Sequence, residues 1–173
     1  MGEEYYYAII CEGSSEQAII ELLLERNLLF FKRTDLLEDR IIRVRSAKKF
    51  AEIYLRTRLS KPVCIYRILD SRREQFDIPK AYQHKVQDTV NVVTSPEIEI
   101  LIIHAEGAYA DYVKKRMKPS DYCKSVLKMP RVKEYEYVKD YFSDINKLLG
   151  ALEEYKRCTK QRKGELTIFD LVK

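Results

Sequence analysis

Short apolar runs alternate with amphipathic stretches through the first two thirds of this chain. The run at 5–11 has the composition of a buried strand, and the stretch at 15–27 carries apolar residues at helical spacing. The alternation continues with a strand predicted at 40–45, a helix at 46–59 and a strand at 62–69. Strands separated by helices pair in parallel, with the helices covering the faces of the sheet. The sequence therefore predicts an α/β fold.

A fourth strand is predicted at 89–93, and the sequence Thr94-Ser95-Pro96-Glu97 after it is typical of a helix start. Ser95 could cap this helix with Pro96 as its first residue, or Thr94 could cap it with Glu97 completing a capping box. We therefore expect a mostly parallel four-stranded sheet flanked by helices.

The chain after this sheet is predicted to be helical. The helix that follows the fourth strand is expected to end near 116, so that an α/β domain spans 1–117 and a basic helical extension packed on it spans 118–173. Helices within the extension are expected near 120–128, at 134–157 and after Gly164.

Positive charge is concentrated toward the end of the chain. Residues 1–112 carry 16 basic and 18 acidic side chains, whereas residues 113–173 carry 16 basic and 9 acidic side chains. Such asymmetry is typical of a protein that binds a polyanion, although the same residues could simply form a solvated helical surface.

Several classes of protein are disfavoured by composition. No apolar run approaches the roughly 20 residues that span a bilayer, and Glu3 and Glu4 are not typical of a signal peptide, so a soluble cytoplasmic protein is expected. The four cysteines include no Cys-x-x-Cys pair, and only His84 and His104 are present. A zinc site or another histidine-rich metal site is therefore not expected.

Acidic residues follow two of the predicted strands. Glu12 follows the first strand, and Asp70 follows the strand at 62–69. Because the carboxyl ends of parallel strands meet at one edge of a sheet, both are expected there, with Glu97 and Glu99 close by. Converging carboxylates are ligands for magnesium or manganese, although each acid could also serve as a turn residue or complement a helix terminus.

Two motifs in this pattern resemble those of TOPRIM domains. The stretch Ile9-Ile10-Cys11-Glu12-Gly13-Ser14-Ser15-Glu16 resembles the first motif, an apolar strand followed by Glu-Gly and an acid three residues later. The second motif is an apolar strand that ends in Asp-x-Asp. Here the strand at 63–69 ends in Asp70, and Arg72 stands at the position of the second Asp.

A third segment, Thr94-Ser95-Pro96-Glu97-Ile98-Glu99-Ile100-Leu101, is similar to the Ser-Asn-Pro-x-Phe-Glu-x-Trp signature of RloB-like phage-defence proteins, a TOPRIM-related family. Glu99 is the matching acid. The resemblance covers roughly 5–116 and is closest to phage-defence (abortive infection) proteins of the overcoming-lysogenization-defect (OLD) and RloB-like types. It implies a TOPRIM-like, Rossmann-like fold.

The resemblance also implies roles for the acids. Glu12 would be the general acid/base or a metal ligand, Asp70 the principal magnesium ligand, and Glu99 would complete the metal shell with support from Glu16. Arg72 adds a positive charge where the family has a second acid, so the chain could be a one-metal nuclease, have an altered active site or have lost catalysis. Arg72 could instead clamp a phosphate.

Basic residues crowd the end of the chain, where five cations occur within eight residues. Together with two arginines after the third strand they form the predicted nucleic-acid-binding set: Arg72, Arg73, Lys156, Arg157, Lys160, Arg162 and Lys163. Basic side chains contact phosphates, and the tyrosines among them could stack on unpaired bases or merely pack between helices.

Three functions remain open from the sequence. The first is a magnesium- or manganese-dependent nuclease that acts on RNA or DNA in phage defence. The second is a related module that binds nucleic acid or a partner ATPase without cleaving. The third is a phosphate- or nucleotide-binding domain that uses Gly13, Ser14 and Ser15 at a helix start, although no glycine-rich fingerprint accompanies them. Self-association is also left open.

Overall fold

The computed structural model describes residues 4–173, and its centre is a four-stranded, all-parallel sheet. The strands are β1 (Tyr6–Cys11), β2 (Val63–Leu69), β3 (Val86–Val93) and β4 (Glu165–Leu166), and they lie side by side in chain order. Helices flank the sheet. The expectation of an α/β fold with a parallel four-stranded sheet is therefore confirmed at this level.

Seven α-helices are described: α1 (Ser14–Glu25), α2 (Ala47–Phe50), α3 (Ile100–Ala105), α4 (Tyr109–Lys115), α5 (Pro119–Ser125), α6 (Tyr135–Tyr141) and α7 (Ile145–Cys158). A π-helical turn at Ala51–Leu55 continues α2. Short 3₁₀ turns lie at Arg33–Asp35, Leu37–Asp39, Lys80–Lys85 and Ile168–Leu171. Among residues 4–173, none of these helices has the length and apolar character needed to cross a lipid bilayer.

The two faces of the sheet bury two apolar clusters. Along β1, Tyr7, Ile9 and Cys11 belong to the larger cluster, whereas Ala8 and Ile10 belong to the smaller one. This division follows from the period of a strand, in which successive side chains point to opposite faces. Helices α1, α3 and α7 contribute to the larger cluster, and α2 contributes to the smaller one.

The strand predicted at 40–45 does not form. Only Ile42 bridges to the sheet: the Cys11 amide donates to the Ile42 carbonyl at 3.0 Å, and the Ile42 amide donates to the Ile9 carbonyl at 2.8 Å. Ile42 is nevertheless buried, so the apolar residues here reflect packing rather than extended pairing. The strand predicted at 89–93 is part of β3, and the fourth strand of the sheet is the two-residue β4, which pairs with β3.

The prediction of one continuous helix between the strand at 89–93 and residue 116 was also wrong. The helix begins at Ile100 with Glu99 at the cap position, so neither predicted cap is made. The Glu97 carboxylate accepts from the Ser120 amide at 2.8 Å instead of completing a capping box. Gly107, at φ 66°, then breaks the helical backbone into α3 and α4.

The helix predicted at 134–157 is divided into α6 and α7. Asp144 starts α7 by accepting a hydrogen bond from the Asn146 amide at 3.0 Å, so a new cap interrupts the helical pattern. The helix expected after Gly164 is replaced by β4 and a 3₁₀ turn.

Residues beyond 117 share the core of the preceding part of the chain. Tyr122, Phe142 and Leu148 are buried in the same apolar cluster as Ile9 of β1 and Leu23 of α1. With β4, this part of the chain also extends the sheet. The division at 117 remains a prediction from sequence, and the two parts are packed around one common core.

Candidate functional site

Glu12 and Asp70 both lie at the carboxyl-terminal edge of the sheet, but their side chains serve opposite faces. Cys11 pairs with Ile68 in the parallel register, and both belong to the larger apolar cluster. Continuing the alternation by one residue assigns Glu12 to the other face, and continuing it by two residues from Ile68 assigns Asp70 to the face of the larger cluster. Arg67 acts on Glu12 and Glu97 acts on Asp70, in agreement with this separation, while the charge of Glu74 raises the pKa of both acids.

Glu12 shares its face with a buried arginine. Its Oε1 lies 3.7 Å from Nη2 of Arg67, and Arg67 lies at the same distance from a carboxylate oxygen of Glu74. Burial, followed by a hydrogen bond shared with Glu74, raises the pKa of Glu12 to about 7. Glu12 therefore exchanges a proton near neutral pH, which is the property of a general acid or base.

Arg67 is the one charged residue inside β2, and its side chain is 3% exposed. Its guanidinium lies over the Phe76 ring at 4.6 Å, and its Nη1 contacts the Glu74 carbonyl at 3.4 Å. Among the described residues, Nη2 has no hydrogen-bond partner despite being buried. The carboxylates of Glu12 and Glu74 therefore compensate the positive charge of Arg67 mainly because they lie close to it, and less through hydrogen bonds.

Asp70 belongs to a second group, the acidic cluster, which we define as Glu16, Asp70, Glu97 and Glu99. Burial and then the charge of Glu97 raise the pKa of Asp70. Burial also raises the pKa of Glu16, on which Asp70 acts as a further negative charge. These electrostatic effects show that the start of α1, the loop after β2 and the residues before α3 lie close together around one group of negative charges.

Gly13 allows Glu16 to reach this cluster. The Gly13 backbone is extended, at φ −102° and ψ 164°, so its conformation alone does not require glycine. Any Cβ at this position would overlap the carboxylate of Glu16, which lies directly against Gly13. The Glu-Gly pair of the sequence therefore has a steric explanation: the missing side chain leaves space for the carboxylate one helical turn later.

Glu99 is the most buried acid of the acidic cluster. It is 4% exposed, and burial raises its pKa to about 7. The Ser15 hydroxyl lies 3.5 Å from Oε1 of Glu99 and 3.2 Å from the carbonyl of Val132, to which it donates. The start of α1, the start of α3 and the segment before α6 are therefore held together around this carboxyl group.

Lys133 is the cation that acts on all four acids of the acidic cluster, and the charge of Arg43 also acts on Glu16. Its Nζ lies 3.5 Å from Oε1 of Glu97, and it also lowers the pKa values of Asp70 and Glu99 by its charge. Burial opposes ionisation of Glu97, but a hydrogen bond from the Ser120 amide at 2.8 Å and the charge of Lys133 outweigh burial and lower the pKa. Glu97 is therefore ionised and bound to Ser120 and Lys133. The effect of burial on Glu16, Asp70 and Glu99 is not fully offset by positive charge or hydrogen bonds, so their pKa values remain raised.

The donor chemistry of the acidic cluster suits a hard divalent cation. All of its side-chain donors are carboxylate oxygens, which magnesium prefers, and a bound cation would offset the raised pKa values. In the arrangement that residues 4–173 adopt, no three His, Cys, Asp or Glu side chains are grouped closely enough to hold a metal ion. Binding would therefore require the carboxylates to rotate toward one another.

A cleft of about 540 Å³ adjoins the acidic cluster and is lined partly by cations. We call it the basic cleft, and its charged lining is Asp70, Arg72, Arg73, Glu97, Lys118 and Arg162. Arg72 is already paired, since its Nε donates to both carboxylate oxygens of Glu165 at 2.9 and 3.0 Å. This pair ties the loop after β2 to β4, so Arg72 does not directly replace a metal-binding acid.

The other predicted nucleic-acid-binding residues fall into two groups. Lys156 is paired with Asp170 at 2.6 Å, and Arg157 is paired with Glu154 at 2.5 Å. The remaining ones are exposed and form no ion pair with other residues of the described chain: Arg73, Lys160, Arg162 and Lys163. This second group is electrostatically available to a polyanion.

Three charged residues near these sites were not singled out by the sequence: Arg67, Glu74 and Lys133. Arg67 could have been noticed, because a charge inside an apolar strand signals a buried partner. Glu74 and Lys133 lie in polar segments whose sequence carries no comparable signal. Comparison of the chain with protein-family models, curated proteins and solved structures finds no match.

Proposed function

We propose that this chain is a small metal-dependent nuclease or phosphodiester-processing protein that acts on RNA or DNA. The observation that carries the proposal is the position of the acidic cluster beside the basic cleft, at the carboxyl edge of a parallel sheet. Ligands of open α/β sheets bind at this edge. Phosphodiester chemistry needs both a site for a cation and a surface for phosphates, and these two surfaces are adjacent here.

Asp70, Glu99 and Glu16 are the residues that would hold magnesium or manganese. A cation held there would neutralise charge at a phosphate and lower the pKa of a bound water molecule. Glu97 contributes differently, because its carboxylate is occupied by Ser120 and Lys133. Lys133, whose side chain is 53% exposed, can turn from the acids toward an incoming phosphate.

Glu12 is suited to proton transfer rather than to the acidic cluster. Its pKa of about 7 allows it to hold or release a proton at neutral pH, and Glu74 is its nearest acidic partner. Arg67 keeps the ionised form accessible by opposing the effect of burial. Because Glu12 lies on the face opposite the acidic cluster, we do not assign it a role as metal ligand, and its general acid/base role rests on the resemblance of the Glu-Gly motif and on its raised pKa.

The cations of the basic cleft would hold the phosphates of the substrate. Arg73, Lys118 and Arg162 line this cleft together with Asp70. By the resemblance of its motifs, we further propose that the chain is a TOPRIM-like protein of the OLD and RloB-like types that works in the cytoplasm in phage defence.

A second candidate is a module that binds nucleic acid, or a partner ATPase, without cleaving. One observation favours it: the described carboxylates are not gathered into a ready metal site, and Lys133 already offsets part of their charge. Under this proposal the basic cleft binds phosphates, and the acids maintain the packing of α1 and α3.

A cleavage assay separates the two candidates. The wild-type chain, Asp70→Asn and Asp77→Asn are incubated with labelled single- and double-stranded RNA and DNA, with magnesium, with manganese and with a chelator. Asp77 is an exposed acid and provides the matched control. The nuclease proposal expects metal-dependent cleavage that is lost in Asp70→Asn and retained in Asp77→Asn.

Two other results have defined meanings. Cleavage that is unchanged in Asp70→Asn would overturn the assignment of the site. Binding of nucleic acid by the folded wild-type chain, with no cleavage under any metal condition, would replace the first candidate with the second.

A further inference from the structure

A second cavity, of about 350 Å³, lies between α3, α4 and the end of α7. We call it the aromatic pocket. Its wall includes Ile100, His104, Tyr109, Tyr112, Tyr155 and Val113. Its volume is within the range of cavities that hold a small organic group, and its lining is mainly apolar and aromatic.

The rings that line this pocket lie against one another and form a continuous aromatic wall. The His104 and Tyr109 rings are stacked at a centroid distance of 4.4 Å, and Tyr112 lies 6.1 Å from Tyr109. Burial lowers the pKa of His104, so the imidazole is neutral at physiological pH. Val113 remains 54% exposed although it is apolar, which leaves part of the wall open to a ligand.

The rim of the aromatic pocket is positively charged. Arg116 and Lys160 lie among the residues around it, and no acidic side chain of the described chain lines it. Neither cation forms an ion pair with another described residue. A ligand with an aromatic part and an adjoining negative charge therefore matches this surface.

The aromatic pocket adjoins the basic cleft. Ser95 and Pro96 contribute to the lining of both cavities, so only this short segment separates them. Ser95 is held in place because its amide donates to the Tyr155 hydroxyl at 2.8 Å. A group in the aromatic pocket is thus placed beside Asp70 and the cations of the basic cleft.

We propose that the aromatic pocket receives one nucleobase of a single-stranded nucleic acid whose neighbouring phosphates lie in the basic cleft. This inference rests on the proposed function only in taking nucleic acid as the ligand. Bases within a duplex are already stacked and paired, so they would have to be flipped out before entering the pocket. Unpaired bases stack readily on aromatic side chains, and the pocket therefore selects single strands.

The test is fluorescence anisotropy with labelled single-stranded oligonucleotides and with duplexes of the same sequence, in a chelator that prevents metal-dependent cleavage. Tyr109→Leu removes a ring face and retains apolar bulk. We expect it to weaken single-strand binding about tenfold, as loss of one stacked base does. Tyr82→Leu is the control, because Tyr82 packs with the smaller apolar cluster, away from the pocket.

The contribution of the two cations at the rim is measured separately, from the salt dependence of binding. The double variant Arg116→Asn, Lys160→Gln should lower the dependence of log affinity on log salt by about 1.4, because each phosphate contact to a single strand contributes about 0.7. Asn is chosen because Arg116 has a positive φ of 50°, which Asn accepts readily. Thermal unfolding of each variant confirms that it is folded.

Equal affinity of wild type and Tyr109→Leu for single strands would overturn the proposal, as would equal wild-type affinity for duplex and single strand. Tight binding of a free mononucleotide, with no gain for the oligonucleotide, would also overturn it. Failure of the cleavage assay leaves this binding test intact, and the two proposals can therefore fail separately.

Discussion

Replacing Glu99 with glutamine tests the electrostatics of the acidic cluster directly. Glu99 is 4% exposed, and burial raises its pKa from the ordinary value of 4.5 to about 7. Glutamine has nearly the shape of the protonated acid, and it can occupy the same place beside the Ser15 hydroxyl, which lies 3.5 Å from Oε1 of Glu99. The variant therefore removes the ionisable group while keeping the packing.

The sign of the effect follows from proton binding. Between about pH 4.5 and pH 7, the unfolded chain has lost the Glu99 proton while the folded chain retains it, so stability decreases as pH rises through this window. One pKa unit corresponds to about 1.4 kcal/mol, which gives about 3 kcal/mol for this group. Below pH 4.5 the two states are protonated alike, and the Glu99 contribution disappears.

Urea denaturation at several pH values between 4.5 and 8.5 measures this effect. We expect the free energy of unfolding of Glu99→Gln to exceed that of wild type by about 3 kcal/mol at pH 8, and to match it near pH 4.5. Glu52→Gln is the control, since Glu52 is exposed on the surface. A constant difference between Glu99→Gln and wild type across this range would refute the reasoning.

Two further predictions concern Gly13, which lies against the Glu16 carboxylate, and Lys133. Gly13→Ala should destabilise the fold by about 1 kcal/mol in urea denaturation, because its Cβ displaces the buried Glu16 carboxylate, whereas Gly150→Ala, within α7 and with no atom within 4 Å of the added Cβ, should stabilise it by about 0.5–1 kcal/mol. Equal effects of the two substitutions would contradict the steric account of Gly13. Lys133→Met should raise the pKa of Glu99 and of Asp70 in a carboxyl NMR titration, because it removes their nearest compensating charge, and should leave Glu12 nearly unchanged. A larger shift at Glu12 than at Glu99 would contradict the assignment of Lys133 to the acidic cluster.

The edge at which the site lies could be predicted from the sequence, because an acid directly follows each of two apolar strands. The sequence analysis did not predict that the Glu12 and Asp70 side chains lie on opposite faces of the sheet, although the alternation of side chains along β1 and β2 implies it. That period assigns Glu12 to the face of Arg67, and Asp70 to the face of α1 and α3.

Other features depend on contacts that are distant in sequence. The two-residue β4 carries too little pattern to be recognised, and it exists because it pairs with β3. Lys133 reaches Glu97 across 36 positions, and the Ser120 amide reaches it across 23. Local periodicity cannot report such contacts, so the charge balance of the site emerges only from the folded chain.

Calorimetric titration of the full chain with manganese and magnesium at pH 8, where Glu99 and Glu12 are largely ionised, tests the central claim most directly. The claim is that the acidic cluster is a cation site. We expect saturable binding by wild type and by Asp77→Asn, and a loss of at least tenfold in affinity for Asp70→Asn. Absence of binding by the wild-type chain, or equal affinity in Asp70→Asn, would contradict it.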